Sequence, residues 1–451
     1  MINELEVKSY YLNSSIRFVT TIVNGWFNVK FKKELGLLEA VTISVGNMIG
    51  VGILIIPAVA AEVAGPLSLL AWLLTGLISI ICGYSFAELA RGFGKTGGPY
   101  VYAGEALGET AGFVAAWTSL LGYLPSVAVM LKTFTYYLMS AFLFGDEIAI
   151  FCSILIVVGL TAMNIRGVKL SSRFQDIIVF SICALLTVLI VIALPRIDPS
   201  NLQPFTPYGW GSLGLAMVYT IWPYFGWETV TVPAGEFKKP RRDIPLGLIL
   251  GTSIVALLYL LTSFVAMGTV SWMRLAESRS PLSDLAYVLL GPYGKIIMSV
   301  GALTIIISNL NVNILSLSRL MYSVARDGVF PRELGRLHKS YGTPHLSILA
   351  ISSILILLLL SGLFEKLILF STVPYLIMYA LSFLSSIVLR RRRVLARSSL
   401  KDSLAFAAAL LCVFLITQNR LEQIIYGFIA TMIGVAVFLI GKRRRKIILN
   451  A

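Results

Sequence analysis

Val45-Gly46-Asn47-Met48-Ile49-Gly50-Val51-Gly52-Ile53-Leu54-Ile55-Ile56-Pro57 is an apolar stretch studded with glycine and closed by proline. Its counterpart in the other half of the chain reads Trp222-Pro223-Tyr224-Phe225-Gly226-Trp227-Glu228-Thr229-Val230-Thr231-Val232-Pro233. A helix that crosses lipid must satisfy its own backbone, because hydrocarbon offers no hydrogen-bonding partner. Glycine and proline at this density predict unwinding, and unwound backbone persists at membrane depth only where it lines a protected cavity. Two such breaks at matching places in two halves are the pattern expected of a carrier's binding site.

Composition sets the frame around these breaks. The chain has 451 residues, 57% hydrophobic and 13% charged, with a mean hydropathy of +0.86. Soluble domains carry roughly 25% charged residues, so the chain reads as membrane-embedded. Spans need about 20 mainly apolar residues each. Twelve segments qualify: 39–63, 66–89, 111–142, 147–164, 174–195, 211–234, 244–270, 292–320, 345–362, 367–389, 401–418 and 422–441. Little sequence remains for a soluble domain.

The formal charge of +15 raises the question of nucleic acid, and its distribution answers it. With the N-terminus inside, the cytoplasmic side collects most of the 37 Lys and Arg. The opposite side holds only Arg196, Arg274, Arg279, Lys295, Lys366 and Arg420, and Lys132 falls within a span. This is the positive-inside rule, with both termini cytoplasmic. Arg390-Arg391-Arg392-Arg393 and Lys442-Arg443-Arg444-Arg445-Lys446 read as anchors facing anionic lipid. No nucleic-acid partner is expected. Cys82, Cys152, Cys183 and Cys412 all lie in spans and read as packing residues, with no disulfide framework. Residues 1–38 lack an apolar core followed by a cleavage site and read as a cytoplasmic tail without a signal peptide. Ile16 to Phe31 fits either an interfacial amphipathic helix or a loosely ordered tail.

The spans divide as five plus five plus two. An odd number of helices per repeat turns the second copy upside down, so a break in span one and another in span six imply an inverted-topology repeat. The expected division is a tail (1–38), a first repeat (39–195), an inverted second repeat (196–389), two trailing helices behind a basic loop (390–441) and a basic tail (442–451). Loops are short. The longer ones are 195–208, 272–283, the glycine-rich stretch 91–99 leading into a polar amphipathic segment 100–109, and 326–331, whose Gly328 and Pro331 stop span eight.

The first break has a definite chemistry. Gly50 and Gly52 carry no side chains, so a ligand can approach their backbone. Unwinding around them frees amides at the start of the second half-helix, an end with partial positive charge that suits a carboxylate. Freed carbonyls suit an ammonium or a cation. The alternative is close helix packing through the small surface from Gly46 to Gly50. The matching break in span six favours binding.

A family resemblance is carried by these residues. Gly46 to Ile53 with Pro57 is similar to the first-helix signature of the amino acid–polyamine–organocation transporters. Phe225-Gly226-Trp227-Glu228 followed by Ala234-Gly235-Glu236-Phe237-Lys238-Lys239-Pro240-Arg241-Arg242-Asp243-Ile244-Pro245 resembles that family's sixth helix and the loop after it. Ser318-Arg319, then Ala325-Arg326-Asp327-Gly328 with Pro331, is similar to the end of its eighth helix, and Gly98-Pro99-Tyr100 through Tyr102 adds a fourth motif. The likeness spans about 39–390 and is strongest to arginine/agmatine and other amino acid–polyamine exchangers of bacteria. It implies an all-α fold of twelve transmembrane helices and alternating access. Substrate would lie between helices one, three, six and eight, on Gly46, Asn47, Ile49, Gly50, Val51, Gly52, Gly122, Ser126, Trp222, Phe225, Gly226, Trp227, Asn309 and Asn313. Trp222 falls where an aromatic gate covers the substrate, and its ring face suits an ammonium; the alternative is an ordinary core or interfacial aromatic.

The sequence also departs from that pattern. Val51 stands where many relatives have Ser or Thr. The helix-three positions that grip a guanidinium fall near Gly122 and Ser126, and the helix-eight aromatic position near Asn313. These changes weaken an arginine assignment, because a buried guanidinium without partners is costly. Asn309 and Asn313 share a helical face and either bind substrate or join helices. Glu228 is the best intramembrane carboxylate for proton coupling, set against a plain inter-helix bond. Lys132 either pairs with a carboxylate or snorkels. Span five has no lysine where some proton-coupled relatives place one.

The expected function is therefore a secondary transporter of amino acids or related amines in the cell membrane, by proton-coupled symport or substrate exchange. A polyamine or basic amino acid antiporter is the alternative within the class. Its partners are the substrate, a proton or counter-substrate, and lipid. No phosphate-binding loop occurs, and no metal or cofactor is expected. A membrane-embedded enzyme is disfavoured: it needs a clustered acid, base or metal site, and the two histidines, His338 and His345, flank one loop. A transporter-like sensor would need an output domain.

Overall fold

The computed structural model describes residues 31–142, 144–278, 280–361, 364–417, 419 and 421–450. The expected interfacial helix over 16–31 lies outside them except for Phe31. The chain is all-helical, in the order α1 (Leu37–Met48), α2 (Val51–Ala64), α3 (Ser68–Gly92), α4 (Pro99–Leu107), α5 (Glu109–Phe142), α6 (Asp146–Arg166), α7 (Val168–Ala193) and α8 (Ser212–Ile221). Short 3-10 turns then lead to α9 (Pro240–Val270), α10 (Trp272–Ala276), α11 (Pro281–Leu290), α12 (Pro292–Arg326), α13 (His345–Leu360), α14 (Phe364–Arg391), α15 (Ser399–Thr417) and α16 (Leu421–Asn450). Proline opens α4, α9, α11 and α12. At the first helical position its missing N–H costs nothing and its fixed φ already suits a helix.

Among the described residues eight helical stretches are long and apolar enough to cross a membrane, the first running from Val51 to Gly92. Shorter apolar helices cover Leu37–Met48, Pro281–Leu290, His345–Leu360 and Leu421–Ala436. The expected span 39–63 divides into α1 and α2, and the expected span 211–234 into α8 and its 3-10 turns. Each half is too short to cross alone, which is what a broken span must look like. The segment 272–283, read from sequence as a loop, contains α10 and the start of α11.

Packing follows a reciprocal scheme. The two long helices α3 and α9 run against each other, with α1 on α9 and α8 on α3. In turn α5 packs on α14, and α12 on α7. The trailing helices α15 and α16 both lean on α14.

Arg390 corrects the reading of its basic run. Only Arg391, Arg392 and Arg393 are exposed; Arg390 is buried, at 1% exposure. Its guanidinium meets Glu88 on α3 at 3.1 Å and Asp402 on α15 at 3.0 Å, and Lys401 takes the other Glu88 oxygen. A buried cation needs such partners, and here they tie α3, α14 and α15 together. A second buried pair joins two of the sequence motifs. Arg319 on α12 donates from Nε to Glu236 at 2.6 Å and from Nη2 to its other oxygen at 3.2 Å, with both side chains almost wholly buried. Beside it the Tyr100 hydroxyl donates to Asp327 at 2.6 Å, and burial together with that carboxylate holds the phenol well above its usual range. The cysteines are free, with Cys82 and Cys412 buried.

Candidate functional site

The first break is two residues wide. α1 ends at Met48, Ile49 leaves the helix at ψ 92, and Gly50 caps α2 in an extended conformation. With no side chain, this cap leaves the first amides of α2 unblocked, and a helix start has no backbone partners for them. The second break is longer. After α8 come one 3-10 turn over Trp222–Tyr224, an extended Phe225, and Gly226 at φ +113 leading a further turn over Trp227–Thr231. Only glycine adopts that φ without strain.

The two breaks hold each other. Asn47 Nδ2 donates to the Gly226 carbonyl at 2.9 Å. Asn309 Nδ2 donates to the Asn47 carbonyl at 2.5 Å, and Asn313 Nδ2 to Asn47 Oδ1 at 2.8 Å. Tyr259 on α9 gives its hydroxyl to Met48 O at 2.6 Å. Tyr379 on α14 accepts from the Gly226 amide at 2.9 Å and donates to Glu228 at 2.7 Å. The carbonyls of Asn47, Met48 and Gly226 and the Gly226 amide are thus taken up by side chains of α1, α9, α12 and α14, as buried polar groups require. Asn309 and Asn313, which fitted either substrate binding or helix joining, are engaged here in joining.

The glycines divide by their neighbours. A Cβ on Gly46 would run into the Gln175 amide and lie 2.8 Å from Ser308 Oγ. One on Gly52 would lie 2.6 Å from Pro223 Cβ, and one on Gly226 would meet the Asn47 amide. Those three serve close packing. Gly50 is less crowded: its Cβ would stand 3.2 Å from Asn309 Nδ2 and 3.7 Å from Met130 Cε. Gly50 is therefore the least crowded of the four, with Met130 of α5 across from it. Ile49 and Val51 turn into the apolar core.

Below the second break Glu228 is 1% exposed and bonded to both the Tyr123 and Tyr379 hydroxyls. The rings of Tyr123, Tyr375 and Tyr379 adjoin one another, and Phe225 and Trp227 pack on Tyr379 at 5.3 and 5.5 Å. Gly122 and Ser126 lie against Tyr375. Trp222 is 43% exposed and, with Phe225, lines a cavity of about 290 Å³ between α2, α8, α14 and α15. Lys132 stands 5.2 Å from the centre of the Tyr136 ring, with no ion pair among the described residues. Where α1, α7 and α12 meet, Gln175 donates to Ser308 at 2.7 Å and accepts from Asn311 at 3.1 Å.

Sequence reasoning missed Tyr123, Met130, Gln175, Tyr259, Tyr375 and Tyr379. An aromatic, methionine or glutamine in an apolar span carries no signal of its own. Only Tyr375 and Tyr379, four apart, shared a face that hinted at a common role.

Two facing discontinuous helices inside a polytopic helical bundle define a membrane carrier. Residues 35–440 match the amino acid permease family, so the chain belongs to that family, a family of transporters and not of enzymes. It is 30% identical to the uncharacterized amino acid permease YecA of Bacillus subtilis, over 74% of this chain and 79% of the relative. The branched-chain amino acid permease BcaP of the same organism is 24% identical over 97% of this chain and 98% of its own length. The serine/threonine exchanger SteT, also from Bacillus subtilis, is 29% identical over 80% and 84%.

Proposed function

We propose that this permease carries an amino acid through the cell membrane by alternating access, with the substrate held at the two breaks. The observation that carries this reading is the uncapped start of α2 at Gly50, facing the unwound segment 222–226. The α2 amides suit the substrate carboxylate. The carbonyls of the unwound segments, each with a second lone pair, suit its ammonium. Twelve spans, both termini cytoplasmic, are built as a five-plus-five inverted repeat, which the reciprocal packing of α1 on α9 and α8 on α3 supports. Trp222 and Phe225 lie on the outer side of the break. The Glu228–Tyr123–Tyr379 cluster and the Glu236–Arg319 pair close its cytoplasmic side.

Two driving forces have support. Exchange fits the junction of α1, α7 and α12, where the neutral amide of Gln175 is engaged at both ends and cannot titrate. Exchange is also the activity that SteT's name gives. Proton coupling rests on Glu228, the acid bonded closest to the breaks. Uptake of a labelled amino-acid panel into proteoliposomes, with an imposed proton gradient or with unlabelled amino acid inside, separates the two. The proposal is lost if the purified protein neither binds nor counterflows any amino acid or amine.

A further inference from the structure

α1, α7 and α9 pack on one another yet leave a groove of about 450 Å³ between them. Its floor is Thr42 and Val45 of α1 with Val179 of α7, all buried; its rim includes Leu38, Phe180 and Leu250, all exposed. The groove therefore opens outward from the bundle. Every side chain that lines it is apolar except Thr42 and Cys183, and a contiguous apolar face of this kind on a membrane protein meets acyl chains.

The charges at one end of the groove select the headgroup. Thr42 turns its hydroxyl to Asp176 Oδ1 of α7 at 2.5 Å, and Asp176 is half-buried. Glu39, one turn before Thr42 on α1, gives one oxygen to the Gly36 amide at 2.8 Å and lies close enough to act on Asp176 electrostatically. Neither carboxylate is ion-paired with a Lys or Arg among the described residues. Arg173 is exposed and lies three residues before Asp176, on the same face of α7. Two acids thus stand at the mouth of an apolar groove, with a cation one turn farther from it.

We propose that this groove binds a phosphatidylethanolamine. One acyl chain lies along Thr42, Val45 and Val179, the ammonium meets Asp176 and Glu39, and the phosphate meets Arg173. An ammonium that donates N–H bonds to carboxylate makes the stronger, charge-assisted kind of hydrogen bond. A choline headgroup has the same charges but no N–H to give, and phosphatidylglycerol brings a net negative charge to two acids. The bound lipid braces α1 against α7 and α9. Near its end α1 carries Asn47, which bonds to the Gly226 carbonyl, so the bracing reaches both breaks.

Native mass spectrometry of the full chain tests it, after delipidation in detergent and addition of equal amounts of phosphatidylethanolamine, phosphatidylcholine and phosphatidylglycerol. Wild type should retain phosphatidylethanolamine over each of the others by about tenfold, the scale of one charge-assisted hydrogen bond. Asp176→Asn keeps an oxygen for Thr42 and should lose most of that preference. Cys183→Trp fills the groove from α7 and should retain less phosphatidylethanolamine than wild type. The proposal is overturned if wild type retains the three lipids equally or favours phosphatidylglycerol, or if Cys183→Trp retains as much as wild type. Should Cys183→Trp fail to insert, an undiminished preference in Asp176→Asn overturns it instead. Lipid retention is read without transport, so this outcome is separate from that of the amino acid reading.

Discussion

Asn47 Nδ2 donates to the carbonyl of Gly226 at 2.9 Å, joining two residues 179 apart in the chain. One end of that bond is in the last turn of α1, beside the first break, and the other is in the second break, so one side chain fixes the spacing between the two discontinuous segments. The rest of the carboxamide is anchored in turn by Asn313 on its Oδ1.

Asn47→Ala removes this bridge, while the Asn313 amide keeps the Asn309 carbonyl and Oδ1 and the Gly226 carbonyl keeps the Thr229 hydroxyl. Each buried hydrogen bond lost is worth about 0.5–1.5 kcal/mol, so the purified variant should melt earlier and transport should fall about tenfold or more. Asn47→Asp should be as damaging, because a carboxylate presents oxygen to the Gly226 oxygen. Thermal melting in detergent and initial uptake rates check both; wild-type uptake by Asn47→Ala would remove the bridge from the mechanism.

The Glu236–Arg319 pair is almost fully buried, and breaking such a pair by removing one partner costs about 3–5 kcal/mol. Glu236→Gln and Arg319→Met should each reduce the yield of monodisperse protein sharply. The double variant Glu236→Leu/Arg319→Met should recover much of the loss, since no lone charge is left buried. A double variant worse than both singles would contradict that account.

Arg390 offers an internal contrast with its neighbour. Arg390→Ala strips Glu88 and Asp402 of a shared cation, whereas Arg391→Ala touches an exposed side chain. The first should cost several kcal/mol and the second within about 0.5 kcal/mol, as surface changes usually do. Equal melting temperatures for the two variants would mean that the ion network does not dock α15.

Glu228 separates the two driving forces. Under proton coupling, Glu228→Gln should abolish the pH dependence of uptake while leaving counterflow. Under exchange, wild-type uptake should be flat with pH and should demand amino acid on the far side. Tyr379→Phe, which removes one hydroxyl from Glu228 and from the Gly226 amide, should slow transport in either case by disturbing the break. A Gln variant that keeps a pH-dependent uptake leaves Glu228 no coupling role.

These contacts mark where the sequence was legible. Gly50, Gly52, Gly226 and the flanking prolines announce broken helices because their backbone behaviour is local. Arg390 read as one of four arginines because nothing local distinguishes it; its burial depends on Glu88, which is 302 residues away. Tyr123, Tyr375 and Tyr379 are hidden for the same reason. Each is an unremarked aromatic until the packing of α5 on α14 brings the three rings together around Glu228.

Gly50 and Gly52 looked equivalent in sequence, and the packing separates them. At Gly52 an added side chain meets Pro223 at 2.6 Å, so Gly52→Leu must wedge α2 away from the 222–224 turn. Both stability and binding should fall. At Gly50 the nearest atom is the Asn309 amide at 3.2 Å, which is bonded to the Asn47 carbonyl and must give by a few tenths of an ångström, and the backbone φ of −130 is open to any residue. Gly50→Ala should therefore lower the melting temperature less than Gly52→Leu does, while adding a methyl group beside the α2 amides. Its apparent affinity for substrate should drop about tenfold, equivalent to ~1.4 kcal/mol. Binding measured by scintillation proximity alongside thermal melting reads the two quantities separately. Wild-type affinity in Gly50→Ala would place the substrate away from the first break, and an early melt in that variant would make Gly50 a packing residue like Gly52.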